Sequence, residues 1–501
     1  MTAAIAPPRP PEGAVNQSSI IVGLFVLATL AMLTGIGGRA ANIAYVGAAV
    51  LAAGLLIRRS PVTYSSFSLW LWFVTPFVRR VLDYRHGWNA TNPVLLAPPV
   101  VAAISVITLL RHARELRGRL FAPYLLILGA LGYGYSVGLL VAGFIPATYT
   151  LLTWIAPITF GVHLALSWRH YPELNVSIRR TFTIALPLLA LYGIYQFVRI
   201  LPWDAAWMIS ADLKSIGSPL PFLVRVFGTL NTPGPYAAFL LVGMLLVLAG
   251  KGVTRYPGIA LALVALLLTR TRSSWVAFMI GLVFMQLSQP VIRLPRRIVA
   301  LVVVVLLAAP LTAIPKFRTT ILSRVLTFKD ISADNSFIKR VQFSQEAANG
   351  IVQSALGNGL GTTGGAIKLE NRNVGIRSLD NGFLELFYVF GWPGGTMFLL
   401  GLGALFFQSL RFAEARRDQF SGAVRATAVA IIAIMPIGDI FSGSTGTLLW
   451  AMLGLGISGH AYHLTTGLAL RSRVTPLFRP GTLAPQWAVP VTPARIPSRS
   501  G

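Results

Sequence analysis

From about residue 18 to about residue 465 the chain is a succession of apolar stretches, most of them about 18 to 22 residues long and so able to cross roughly 30 Å of hydrocarbon. Inside a bilayer no water is at hand to satisfy the peptide groups, so a run of such segments must fold as helices. The expected fold is all-α and polytopic. Only 11% of the 501 residues are charged, less than half the share of about 25% found in soluble chains. Expected spans are 17–37, 41–57, 64–83, 93–110, 121–143, 148–168, 181–201, 234–250, 256–269, 272–289, 297–315, 381–409, 424–442 and 444–463, about fourteen helices.

A net charge of +27 would suit a nucleic-acid partner, but its distribution argues for the membrane instead. With the N-terminus inside, 24 of the 42 Lys and Arg fall on inner segments, among them Arg58, Arg59, Arg111, Arg114, Arg117 and Arg119. This is the bias of cytoplasmic loops, and it places both termini in the cytoplasm. No nucleic-acid role is expected. The Pro-rich start, MTAAIAPPRPPEGAVNQSS, lacks a basic n-region, and no small-residue cleavage site follows the first apolar run, so that run is expected to be a retained helix.

The chain then divides as follows: 1–16, a disordered cytoplasmic N-terminus; 17–315, helices 1–11 with an outer loop at 201–233; 316–380, a large periplasmic loop; 381–465, helices 12–14; 466–501, a disordered, Pro-rich and basic cytoplasmic tail. Within the large loop, Phe337, Val341, Ala348, Val352 and Ala355 recur at helical spacing. They predict an amphipathic helix lying on the outer face or capping the bundle.

Arginine dominates the outer side: Arg79, Arg80, Arg225, Arg270, Arg272, Arg340 and Arg377. Its planar fork gives two parallel hydrogen bonds and keeps its charge when desolvated, which suits a phosphate better than a lysine does. The bland alternative is snorkelling toward headgroups, and it is the reading for Arg79 and Arg80. The stretch TRTRSSWVAF sets Arg270 and Arg272 between two apolar runs with almost no room for a loop. A tight outer hairpin is expected there, with Ser273 or Ser274 capping the next helix, and Arg272 is the one expected to face the cavity. Asp380 stands at a loop-to-helix junction, where an N-cap alone would explain it. Glu385 follows about one turn later and could orient a partner or line the cavity. His460 and His463, one turn apart and with no carboxylate pair evident beside them, read as interfacial residues. No metal and no cofactor are expected. There is no cysteine, no P-loop and no dinucleotide fingerprint.

Four segments taken in order resemble the O-antigen ligase and polymerase superfamily. RVFGTLNTPGPYAAFLLV is similar to its Arg-x-x-Gly-Thr…Asn pattern, which falls on Arg225 and Asn231. LLLTRTRSSWVAFMIGLV resembles its Ser-Arg-…-Trp segment, with Arg272 on the family arginine and Thr271 in place of the serine; Arg270 fits the looser Arg-x10-Gly pattern of polymerases. SFIKRVQFSQEAANGIVQSALGNGLG looks like its Arg-containing helix and Gly-x-Gly-x-Gly turn, with Arg340, and SLDNGFLELFYVFGWPGG like its His/Asp-Asn-x-x-Leu-Glu segment. Ligases typically have histidine before that asparagine. Here Asp380-Asn381 stands instead, a form closer to the capsule, exopolysaccharide and O-antigen polymerases.

The resemblance implies a multi-helix, GT-C-like glycosyltransferase in a bacterial inner membrane, with its site on the periplasmic face. It would polymerise undecaprenyl diphosphate-linked oligosaccharides, the donor and acceptor partners, beside membrane lipid and chain-length regulator or export proteins. Asp380, Arg272 and Arg225 are the expected catalytic residues. Arg270, Arg340, Arg377, Asn381, Glu385 and Asn231 are expected to bind substrate. Two alternatives stand: a ligase that passes a finished glycan to lipid A core or protein, and a flippase of lipid-linked sugars, against which the large outer loop and the lack of repeated halves both argue.

Overall fold

Ser60 shows how tightly the first helices are joined. It ends α2 (Ala41–Arg59), which follows α1 (Glu12–Leu33), and its hydroxyl accepts the Thr63 N–H at 3.1 Å to cap α3 (Pro61–His86), with Pro61 in the first turn where no N–H is needed. In the computed structural model the described residues are 12–212, 214–250, 252–288, 294–326, 345, 348–349, 351–352, 354–369 and 381–466. The chain continues through α4 (Ala97–Ala103), α5 (Val106–Arg111), α6 (Ala122–Val141), α7 (Phe144–Leu166), α8 (Tyr171–Val198) and α9 (Pro202–Ser210). Then come α10 (Pro233–Leu248), α11 (Arg255–Leu268), α12 (Arg272–Leu287), α13 (Leu294–Ala313) and α14 (Pro315–Leu326). After the large loop follow α15 (Gly382–Leu410), α16 (Gln419–Ile432) and α17 (Gly443–Thr465). Among the described residues there is no strand, only one β-bridge between Gly217 and Val224.

A helix lies on each expected span, and among the described residues seven are long and apolar enough to cross a membrane: α2, α4 with α5, α6, α7, α8, α15 and α16 with the turn that follows it. α1, α10, α11 and α12 are shorter apolar helices. Leu140, Leu110, Leu400 and Leu306 are 65–88% exposed, side chains that a lipid phase accommodates and water does not. The protein is an all-helical, polytopic membrane protein.

Three local expectations change. The loop at 201–233 contains α9, which starts at Pro202, with Asp204 in its first turn. The loop at 316–380 opens with α14. The span expected to run to residue 442 stops at Ile432, before Met435, Pro436 and Gly438. Of the expected amphipathic stripe, Ala348, Val352 and Ala355 are exposed apolar residues, and Ile351 beside them is buried. Its remaining members, Phe337 and Val341, lie outside the described residues.

Small residues let the core helices meet backbone to backbone. A Cβ on Gly454 of α17 would lie 2.0 Å from the Gly161 carbonyl oxygen of α7. Another close joint is between α15 and the turn Gly357–Gly361. α15 breaks at Gly391, whose φ is 60°, two residues before Pro393. Pro393 has no N–H for the Val389 carbonyl, and the Trp392 N–H turns away to Ala355 (2.9 Å). The turn replaces both lost donors: Asn358 N–H donates to Tyr388 at 2.9 Å and Gly359 N–H to Val389 at 2.8 Å. On its other side Leu360 N–H donates to Gly134 of α6 at 2.9 Å. Non-helical backbone thus sits within the bundle with its polar groups satisfied by protein.

Candidate functional site

The segment between α9 and α10 delivers Arg225 to the α11–α12 hairpin. Its backbone N–H donates to Ile216 (2.8 Å), and the next residue, Val226, donates to the Leu268 carbonyl that ends α11 (3.3 Å). The Arg225 side chain then reaches the hairpin itself, with Nε donating to the Thr269 carbonyl at 3.2 Å and Nη1 to Ser215 at 2.9 Å. Thr269, Arg270 and Thr271 are all that joins α11 to α12. The hairpin is as tight as the sequence predicts, but its capping differs. Thr271 is the N-cap, without a side-chain cap bond, and Ser274 is buried inside the helix, so neither Ser273 nor Ser274 caps it. Trp275 Nε1 pins the turn to the Leu266 carbonyl at 2.9 Å. Arg270 closes it with φ 55°, a left-handed backbone that costs an L-residue roughly 1–2 kcal/mol.

Arg272 begins α12, at the positive end of the helix dipole. Three arginines therefore converge on one turn, with Arg225 brought in from an element far from the other two in sequence. Asn231 lies in the same segment just before α10, with its Oδ1 buried and without a hydrogen-bond partner.

The second part of the site is the start of α15. Asn381, not Asp380, caps that helix: its Oδ1 accepts the N–H groups of Phe383 (3.0 Å) and Leu384 (3.2 Å). Glu385 is buried, with Oε2 unpartnered, and interacts electrostatically with Asp439. Gly382 packs against Met435 and Phe441. Asp439 folds that neighbouring turn by accepting from Phe441 N–H (2.8 Å) and the Ser442 hydroxyl (2.6 Å). Asp380, Arg340 and Arg377 lie outside the described residues.

Both parts sit at one end of the bundle. On α12, Gly281 packs against Ala430 of α16, and Phe284 meets the Arg425 guanidinium 5.5 Å from its ring centre. Residue numbers rise on one helix as they fall on the other, so the two run antiparallel. Arg272 therefore lies toward the 435–442 turn, against which α15 begins.

Arg79 and Arg80 do not snorkel. Arg79 pairs with Asp83 at 3.0 Å, donates to the Asn89 carbonyl at 2.8 Å, and lies over Trp88 and Trp207. Arg80 is fully buried, 3.2 Å from Asp204, and donates to the Gly228 carbonyl at 2.7 Å. Leaving one member of such a pair alone costs about 3–5 kcal/mol. The signal was present in the sequence as an arginine, Gln196 and Asp204 in or beside apolar helices, which is where polar groups need partners.

At the opposite end, His460 Nδ1 is 2.9 Å from Glu414 and stacks on Phe412, while His463 Nε2 is 3.3 Å from Asp418. A carboxylate pair therefore does accompany these histidines, which are hydrogen-bonded to Glu414 and Asp418 rather than bare interfacial residues. Asp418 also accepts from Tyr171 and Ser421. Burial would raise its carboxyl, yet the bonds from His463, Tyr171 and Phe420 N–H outweigh it and hold the group below the usual range. Among the described residues no group of three or more His, Asp or Glu could hold a metal ion.

A helical membrane bundle with an arginine cluster at one end is the class that fold and site define. Within it, residues 257–399 match the O-antigen ligase family model, a domain match that supports a place in the O-antigen ligase and polymerase superfamily. The match takes in the hairpin, the glycine turn, the α15 break and Asn381; Arg225 and Asn231 precede it. No curated protein matches the chain.

Proposed function

We propose that the protein is a metal-independent glycosyltransferase that polymerises undecaprenyl diphosphate-linked oligosaccharides into a surface polysaccharide at the periplasmic face of the inner membrane. The observation that carries this reading is the bond from Arg225 to Thr269, which joins Arg225 to the turn bearing Arg270 and Arg272. Such a cluster suits a diphosphate. Below it, α12 presents Trp275, Met279, Ile280 and Leu287 as one open apolar groove, where the polyprenyl chain would run.

In the reaction an acceptor hydroxyl attacks the anomeric carbon, its oxygen–carbon bond forming as the carbon–diphosphate bond breaks. The hydroxyl proton passes to Asp380, and undecaprenyl diphosphate leaves with the electron pair. The anomeric centre inverts. Arg225, Arg272 and Arg270 take up the charge developing on the leaving group, where one well-placed donor contributes about 3–4 kcal/mol. Arg340 and Arg377 would close over the donor, with Asn381, Glu385 and Asn231 lining the sugar site.

The test is polymer length on a silver-stained gel, in a deletion strain complemented with Arg272→Ala or Asp380→Asn. Both variants are expected to leave only short glycans. Full-length polymer from both, at normal expression, sinks the assignment. The name of the matched family favours a second reading, a ligase that transfers a finished glycan to lipid A core or protein. Purified protein given lipid-linked repeat units alone separates the two, since only a polymerase lengthens them.

A further inference from the structure

We propose that Gln196, Asp204 and Arg80 are positioning residues that fix the turn at Phe227–Gly228 and, through it, aim the Arg225 guanidinium at the hairpin. This rests on the reading that the arginine cluster holds a diphosphate. The three side chains and the turn form a closed ring of polar contacts. Gln196, near the end of α8, accepts the N–H groups of Phe227 (3.0 Å) and Gly228 (3.1 Å) with one oxygen. Its Nε2 donates to Asp204 Oδ2 at 2.7 Å, an atom that also accepts from the Tyr192 hydroxyl at 2.8 Å. Asp204 pairs with Arg80 at 3.2 Å, and Arg80 returns to the turn through the Gly228 carbonyl at 2.7 Å, its guanidinium 4.9 Å from the Phe227 ring centre. All three side chains are buried.

The ring does more than fill space. Gly228 has φ 54°, and a Cβ there would meet the Tyr236 ring at 2.3 Å, so the turn has one conformation that fits. Helices α3, α8 and α9 each contribute a side chain to hold it. Arg225 lies two residues upstream, and Val226 between them is itself tied to Leu268. A shift of the turn therefore moves Arg225 against Thr269, while Arg270 and Arg272 stay on their own hairpin. The expected signature is a loss of diphosphate affinity that passes through Arg225.

The experiment uses the full chain in lipid nanodiscs with undecaprenyl diphosphate as probe, its binding read by microscale thermophoresis. Gln196→Met is expected to weaken binding about tenfold. In an Arg225→Ala background the same substitution is expected to change binding by less than about twofold, because a positioning residue acts through the group it positions. The exchanged pair Gln196→Glu with Asp204→Asn keeps one carboxylate and one amide in the ring and should restore affinity to within about threefold of wild type. Wild-type binding by Gln196→Met overturns the proposal, and so does an equal loss with and without Arg225, the mark of general destabilisation. Should Gln196→Met fail to fold, Gln196→Glu alone, which sets two carboxylates face to face, is judged by the same two results. Wild-type binding by Arg225→Ala would instead overturn the diphosphate reading itself.

Discussion

Arg270 occupies a backbone conformation that would suit glycine. Its φ of 55° is paid for by the fold, and strain of this kind persists where a side chain is wanted at that place. Two substitutions separate the backbone from the guanidinium. Arg270→Gly and Arg270→Ala both remove the charge, but only glycine relieves the strain. The glycine variant should be more stable than the alanine variant by about 1 kcal/mol, seen as a higher thermal midpoint in detergent. Both should lose polymerisation to the same extent if the guanidinium binds the donor. Equal midpoints would remove the strain argument. At this scale the tight turn that carries Arg270 and Arg272 is legible in sequence, because two apolar runs separated by so short a gap leave room only for a hairpin. Arg80 is the counterexample. Its partner at Gly228 is 148 residues away, and nothing local distinguishes a buried pair from a snorkelling side chain.

At the scale of elements, hydrophobic length locates the helices well and their breaks poorly. Apolar runs mark where α6 and α15 lie, since burial in lipid demands them. The break in α15 depends on a loop that supplies donors from more than thirty residues upstream, and no periodicity records that pairing. Pro393 gives the one local hint. The docking of the glycine turn makes a sharp forecast. A Cβ at Gly138 of α6 would lie 2.2 Å from the Leu360 carbonyl oxygen and 2.7 Å from its nitrogen, whereas one at Gly132 on the same helix meets nothing within 4 Å. Gly138→Ala should therefore destabilise the protein by about 1–3 kcal/mol. Gly132→Ala should be neutral or gain up to about 1 kcal/mol from helix propensity. Thermal unfolding of the two purified variants checks this, and equal midpoints would mean that the turn yields without cost.

The whole molecule has two chemically distinct ends. One gathers Arg225, Arg270, Arg272 and the start of α15. The other pairs His460 and His463 with Glu414 and Asp418, where α15 passes into α16 and α17 ends. The fold fixes that these are opposite ends; the charge count proposes which one faces the cytoplasm. Most of the arginines at the histidine end belong to the inner set of the positive-inside reading, including Arg411, Arg416 and Arg417. The absence of cysteine from the sequence makes the orientation directly measurable. Ser218 is exposed beside the β-bridge that precedes Arg225, and Ala413 is exposed between α15 and α16. Ser218→Cys should react with a membrane-impermeant maleimide in intact spheroplasts. Ala413→Cys should react only after the membrane is permeabilised. The donor that reaches the arginine end would then be drawn from the outer leaflet, as a polymerase of exported glycans requires. The reversed labelling pattern would put that end in the cytoplasm and make the periplasmic site untenable, even with every contact in the arginine cluster intact.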